Sequence, residues 1–128
     1  MKQILIIEDD PDILESFRML LSDIGCEIQT AGNGQQGLAA YRDNPPDLVI
    51  LDVLMPVLDG IEFVREITKE KNTAFIIAVS GKIEYLPMMK MMGVDEIFTK
   101  PVSPEAIERI VVEQLKLDNM QSRYRETG

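Results

Sequence analysis

Residues 4–10 read Ile-Leu-Ile-Ile-Glu-Asp-Asp, four aliphatic residues running straight into three carboxylates. An apolar run of this kind is what a strand buried on both faces requires, as in a parallel sheet covered by helices on each side. With Gln3–Ile7 as the first, four more runs make five strand candidates, at 27–30, 48–51, 75–79 and 97–99. The run 27–30 is the poorest and belongs at a sheet edge.

Longer amphipathic segments separate these runs. Residues 11–24 place Ile13, Phe17, Leu20, Leu21 and Ile24 on one helical stripe, with Asp10 as N-cap ahead of Pro11. The segment 34–42 is a weaker helix, since Gly34 and Gly37 lower its propensity, and Pro45-Pro46 stops it. Residues 60–69 turn Ile61, Val64 and Ile67 inward after an Asp59-Gly60 turn. Residues 83–92 carry Pro87 and methionines at 88, 89, 91 and 92, which cannot all face one side, and the segment closes at Gly93. The fifth helix opens with Ser103 as cap and Pro104 at its first position, then presents Ile107, Ile110, Val111 and Leu115. Strands alternating with helices in this way predict an α/β, doubly wound (βα)5 fold around a five-stranded parallel sheet. The pattern fades after Leu117, so residues 1–118 are read as one domain and 119–128 as a polar tail, with no linker to a second domain.

Composition narrows the chemistry. The chain of 128 residues suits one well-buried core, and with 45% apolar residues but only four Phe, three Tyr and no Trp, that core is aliphatic. A net charge of −9 argues against a direct nucleic-acid partner, which would need clustered Lys and Arg. Cys26 has no second cysteine to pair with, and no apolar stretch reaches membrane-spanning or signal-peptide length, so the expected setting is cytoplasmic, with no membrane contact. No histidine is present, which excludes imidazole bases and His-ligated metals in this chain.

The polar residues that remain are informative by position. Glu8 and Asp9 follow the first strand candidate, Asp52 the third, Ser80 the fourth and Lys100 the fifth. In open α/β sheets ligands bind outside the carboxyl ends of the strands, where the strand order reverses, and an order of 2-1-3-4-5 brings these residues together because the second strand contributes nothing. Three converging carboxylates repel one another unless a cation neutralises them, and an all-oxygen set favours Mg2+. On this reading Asp9 and Asp52 are direct ligands and Glu8 acts through water. Lys100 and Ser80 add a positive charge and a hydroxyl donor, which together with a metal meet the needs of an incoming phosphoryl group, and Asp52 is placed to be the nucleophile that receives it.

The runs 4–10 (ILIIEDD) and 51–60 (LDVLMPVLDG), with Ser80-Gly81 and Lys100-Pro101, resemble the response-regulator receiver domain over residues 2–117. The resemblance implies a flavodoxin/CheY-like fold and Mg2+-dependent transfer of a phosphoryl group to Asp52 from the phosphohistidine of a histidine kinase or phosphotransfer protein. It also implies self-limited hydrolysis and a switch in binding to a downstream output protein or domain through the face made by the fourth helix, the fifth strand and the fifth helix. Such a domain is a signalling phosphoacceptor rather than an enzyme with turnover, and one that dimerises on phosphorylation is compatible with it. Carried over, Glu8 and Asp9 match the acidic pair, Asp52 the acceptor, Ser80 the switch hydroxyl, Lys100 the phosphate-contacting lysine and the backbone carbonyl of Leu54 a metal ligand. The Lys100-Pro101 bond is expected to be cis. The position three before Lys100, usually aromatic in the family, is Ile97 here; this departs from the family pattern, and a stiff β-branched side chain predicts a smaller repacking on that strand than an aromatic swing.

Other classes fit less well. A flavodoxin-like or nucleotide-binding module needs a Gly-rich anion cradle at the first turn, where Glu8-Asp9-Asp10-Pro11 stands instead. An aspartyl-phosphate phosphatase of the Asp-x-Asp kind needs a second carboxylate where Leu54 is found. A degenerate receiver acting only as a binding module is disfavoured by the intact set of five polar residues.

Overall fold

Leu48–Asp52 is buried at all of its positions, as a central strand with helices on both faces must be. It is β3 of the computed structural model, which describes residues 1–53 and 58–116; Leu54 and the proposed tail at 119–128 lie outside the described residues. The elements run β1 (Gln3–Ile7), α1 (Pro11–Ser22), β2 (Glu27–Ala31), α2 (Gly34–Asp43), β3, α3 (Gly60–Lys69), β4 (Phe75–Ser80), a 3₁₀ turn (Ile83–Tyr85), α4 (Leu86–Met91), β5 (Glu96–Thr99) and α5 (Pro104–Leu115). All the strand pairs are parallel and the order is β2-β1-β3-β4-β5, as expected.

Side chains alternate along each strand and divide the interior in two. Ile4, Ile6, Leu48, Ile50, Ile77 and Val79 pack with Phe17 and Leu21 of α1 and with Ile107 and Val111 of α5. Leu5, Ile7, Val49, Leu51, Ile76 and Ala78 face Leu38, Phe63, Val64, Ile67 and Met89 of α2, α3 and α4. Each buried Leu, Ile or Phe side chain contributes about 1.5–3 kcal/mol, so these two layers supply the main driving force for folding.

Strand alignment is held outside the apolar runs as well. Asp47, just before β3, donates its N–H to Gln3 O (2.8 Å) and accepts from Gln3 N–H on its carboxylate (2.8 Å). Asp95, just before β5, treats Ile76 of β4 in the same way, at 2.9 and 2.8 Å.

Three expectations need correction. Helix α1 ends at Ser22 rather than at residue 24, because the chain turns at Gly25 with φ +83°, although Ile24 is still buried. The single helix expected over 83–92 is a 3₁₀ turn followed by a six-residue α-helix; Pro87 has no N–H to donate and so takes a first-turn position. Strands β2, β3 and β4 each run one residue further than expected and β5 begins one residue earlier, so Asp52 and Ser80 are the last residues of β3 and β4. The methionines divide as predicted: Met89 is fully buried and Met92 packs against the core, while Met88 and Met91 are exposed.

Candidate functional site

Alternation that buries a residue within the sheet also aims the residue two positions on. Glu8 follows Ile6, Asp52 follows Ile50 and Lys100 follows Phe98, and Ile6, Ile50 and Phe98 all belong to the α1/α5 layer. The three charged residues therefore leave the sheet on one side and meet at its carboxyl edge. Lys100 Nζ lies 3.2 Å from Asp52 Oδ2 and 3.4 Å from Glu8 Oε1. The other Glu8 oxygen accepts from the Asp10 N–H at 3.1 Å, at the turn that starts α1. Asp10 is the cap expected of it, accepting from Asp12 N–H at 2.9 Å and Ile13 N–H at 3.4 Å.

Carboxylates are seldom this buried: Glu8 is 5% and Asp52 6% exposed. Burial pushes Glu8 up to about 7; the Asp10 N–H and Lys100 pull it down, and the Asp52 charge adds to the rise. Burial likewise raises Asp52, with Lys100 offsetting part of the effect. At Lys100 burial works against the charge, but Asp52 and Glu8 outweigh it and hold the ammonium above its ordinary range. The site thus stores two reluctant carboxylates around one firmly charged lysine.

Asp9 is exposed at the rim, and one oxygen each from Glu8, Asp9 and Asp52 lie within 4.8 Å of one another. A pocket of oxygen donors with excess negative charge suits a hard divalent cation, and Mg2+ accepts one or two carboxylates alongside water. The residues present fit the ion predicted for them.

Ser80 is placed differently. It falls on the opposite face, in phase with Ile76 and Ala78 of the α2/α3/α4 layer, and is fully buried. Its Oγ accepts from the Lys82 N–H at 3.0 Å and faces the Lys82 carbonyl at 3.3 Å, closing a turn directly ahead of the 3₁₀ segment. Of the predicted residues the structure brings Glu8, Asp9, Asp52 and Lys100 together, and places Ser80 at the neighbouring strand end with its hydroxyl turned toward Lys82. The Lys100-Pro101 bond is cis, as expected.

Two glycines help to shape the site beyond their local roles. A Cβ on Gly60 would lie 2.8 Å from Asp52 O and 2.8 Å from Val53 Cα, and the Gly60 N–H donates to Val53 O at 2.7 Å. A Cβ on Gly34 would collide with the carbonyl of Leu58. Their local sequence showed a propensity cost at Gly34 and a turn at Gly60; the close approaches are to strand and loop segments that only folding brings against them. Beside the site, a groove of about 480 Å3 runs between α1 and the segment after β5, lined by Ile13, Phe17, Lys100, Pro101 and Val102 among others.

Comparison with known proteins agrees with this architecture. Residues 4–112 match the family described as response regulator receiver domain. The response regulator GtcR of Aneurinibacillus migulanus is 33% identical over 111 residues, covering 85% of this chain and 46% of its own length. Among solved structures, the response regulator TrrA of Thermotoga maritima, in complex with Mg(2+)-BeF, has a TM-score of 0.80 at 34% identity and covers 89% of this chain and 99% of that one. The chemotaxis protein CheY4 of Vibrio cholerae has a TM-score of 0.80 at 27% identity over 88% of this chain and 98% of its own. The chain belongs to the response-regulator receiver family and has the CheY-like fold. It spans about half the length of the curated relatives it matches.

Proposed function

We propose that this receiver takes a phosphoryl group onto Asp52 from the phosphohistidine of a histidine kinase or phosphotransfer protein, and that the modified domain binds a downstream output protein or domain through its α4-β5-α5 face. The observation that carries the reading is Lys100 Nζ at 3.2 Å from Asp52 Oδ2, a buried carboxylate flanked by Glu8 and Asp9. An Asp52 oxygen attacks phosphorus, the P–N bond of the donor breaks as the P–O bond forms, and the donor imidazole keeps the electron pair. Lys100 remains positive throughout and faces the charge arriving on the phosphoryl oxygens. Attack by water on phosphorus later restores the Asp52 carboxylate and releases inorganic phosphate, so no substrate is turned over in the ordinary sense.

Asp9 and Asp52 would hold Mg2+ directly, with Glu8 through water, and the ion would supply neutralisation of the carboxylates and phosphoryl oxygens. TrrA, solved with Mg(2+)-BeF, supports this assignment. The Leu54 carbonyl belongs to the same proposed ligand set and lies outside the described residues.

For the readout, the Ser80 hydroxyl leaves Lys82 to donate to the phosphoryl group, and Ile97 repacks against the layer that contains Met89 and Val94. A β-branched side chain has few χ1 options, so this movement is small. Met88 (41% exposed) and Met91 (88%) then offer adaptable apolar contact to a partner, which favours the phosphorylated state by binding it more tightly. Among the described residues no helix is long and apolar enough to cross a membrane. The proposal sets the domain in the cytoplasm, where kinase phosphohistidines are made.

Incubation with a small phosphodonor and Mg2+, followed by intact-mass measurement, tests the reading. One phosphoryl adduct is expected, not formed when chelator is present from the start and absent from Asp52→Asn. An adduct of the same yield on that variant would overturn the assignment.

A further inference from the structure

We infer that Gly34, at the start of α2, is a positioning residue for Asp52: its missing side chain lets the backbone at Leu58 sit where it must to hold the Asp52–Val53 peptide in place. The inference rests on the function proposed for Asp52. A Cβ at position 34 would collide with Leu58 O and lie 2.8 Å from Leu58 C and 3.0 Å from Leu58 Cβ. The nearest obstacles are backbone atoms, which cannot swing aside as a side-chain tip does. The Gly34 N–H also donates to Leu58 O at 3.0 Å, so the two segments are bonded at their closest approach. The Leu58 side chain, packed against the core, opposes retreat.

Two residues on, Gly60 repeats the arrangement against the site itself, with room for no Cβ beside Asp52 O and its N–H on Val53 O at 2.7 Å. Between them Asp59 fixes the first turn of α3 by accepting from the Glu62 N–H at 3.0 Å. Leu58–Asp59–Gly60 is therefore a wedge between α2 on one side and the peptide of Asp52 on the other. Pushing one end of a wedge made of backbone moves the other, and a displacement of about 1 Å at a reacting group is worth about 10²-fold in rate.

Gly37 gives the contrast. A Cβ there would lie 2.5 Å from Ile7 Cδ1, the far end of a core side chain. The three nearest atoms there all belong to the Ile7 side chain, which adjoins Glu8 in the chain but can turn its tip aside without moving backbone.

The experiment compares Gly34→Ala with Gly37→Ala by urea unfolding, Mg2+ affinity from calorimetric titration, the rate of adduct formation with a small phosphodonor, and amide chemical shifts. Gly34→Ala is expected to weaken Mg2+ binding and slow adduct formation by about 10²-fold, with displaced Asp52 and Val53 amide signals. Gly37→Ala is expected to lose stability while keeping wild-type Mg2+ affinity and rate. If Gly34→Ala does not fold, Leu58→Ala frees the wedge from its other side and should weaken Mg2+ binding in the same way. A folded Gly34→Ala with wild-type affinity and unshifted Asp52 and Val53 amides would overturn the inference, as would equal impairment of Gly37→Ala, or a wild-type Leu58→Ala where Gly34→Ala is unfolded. A wild-type protein that takes no phosphoryl group sinks the proposed function instead, and the Mg2+ affinities and amide shifts then decide on the wedge alone.

Discussion

Replacing Glu8 by Gln should make the metal-free protein more stable at pH 8 and flatten its dependence on pH. Glu8 is 5% exposed, and burial raises it from 4.5 to about 7. An unfolded chain releases that proton near 4.5, so between 4.5 and 7 the folded state holds a proton that the unfolded state has lost. Every step up in pH through this window favours unfolding, and the penalty is complete once Glu8 is ionised in both states. At about 1.4 kcal/mol per pH unit the interval amounts to about 3 kcal/mol, and the raised Asp52 acts in the same direction. The chain has no histidine to titrate in the same window. Urea unfolding at pH 5, 6, 7 and 8 in the presence of chelator measures the effect: with a slope of about 2 kcal/mol per molar, the wild-type midpoint should fall by roughly 1.5 M across the series. Glu8→Gln should show a much smaller fall and a higher midpoint than wild type at pH 8. Mg2+ should restore the wild type at pH 8, since a ligand of the ionised carboxylates binds only the folded form. A wild-type midpoint that holds constant or rises between pH 5 and pH 8, or an equal fall in Glu8→Gln, would refute the reasoning.

Lys100→Met removes the charge that Asp52 and Glu8 share, and should slow adduct formation by about 10²–10³-fold while Mg2+ still binds; an unchanged rate in intact-mass kinetics would remove Lys100 from the chemistry. Ser80→Ala should leave phosphorylation of Asp52 in place but confine amide shifts induced by beryllofluoride and Mg2+ to the site, whereas the wild type shows further shifts within 80–113; wild-type shifts at 27–41 instead would mean that the signal leaves by the other side. Phe63→Ala empties a fully buried position that meets Tyr41 edge-on with ring centroids 6.1 Å apart, and should lower stability by about 3–5 kcal/mol in urea. Asp10→Ala removes the cap of α1 and should lower stability by about 1 kcal/mol, a loss that a second hydrogen-bonding cap such as Asn recovers.

The positions of the reactive residues were legible because they sit where apolar runs stop, and a parallel sheet gathers those stops at one edge. The exact strand ends were not: Asp52 and Ser80 carry polar side chains but their backbones remain in the ladder, paired with Val79 and Thr99 respectively. The reading of Gly34 and Gly37 captured a propensity penalty and missed what offsets it, since Leu58 and Ile7 meet them only after folding. Phe63 was passed over for Ile61 on a stripe counted at helical spacing, yet it is the fully buried one of the two. Ser80 was identified by its strand end, but the direction of its hydroxyl depends on Lys82, and no spacing rule reports that.

Asp47 and Asp95 carry a consequence for how this chain avoids folding wrongly. The two layers flanking the sheet are both aliphatic, and β3 offers Leu48 and Ile50 to one and Val49 and Leu51 to the other. Sliding β3 by a single residue would exchange those sets with little change in greasiness, so hydrophobicity alone is nearly blind to the error. The aspartates are not blind to it. A slip would part the Asp47 carboxylate from the Gln3 N–H at one end of β3 and, at the other, turn Asp52 away from Lys100 into the opposite layer, burying a charge without its partner. Asp95 guards β5 against β4 in the same way, and Lys100 at the far end completes the pair. The residues proposed to handle phosphate thus also act as index marks that tell nearly interchangeable strands where to stop, and replacing them by apolar residues would free the sheet to settle out of step.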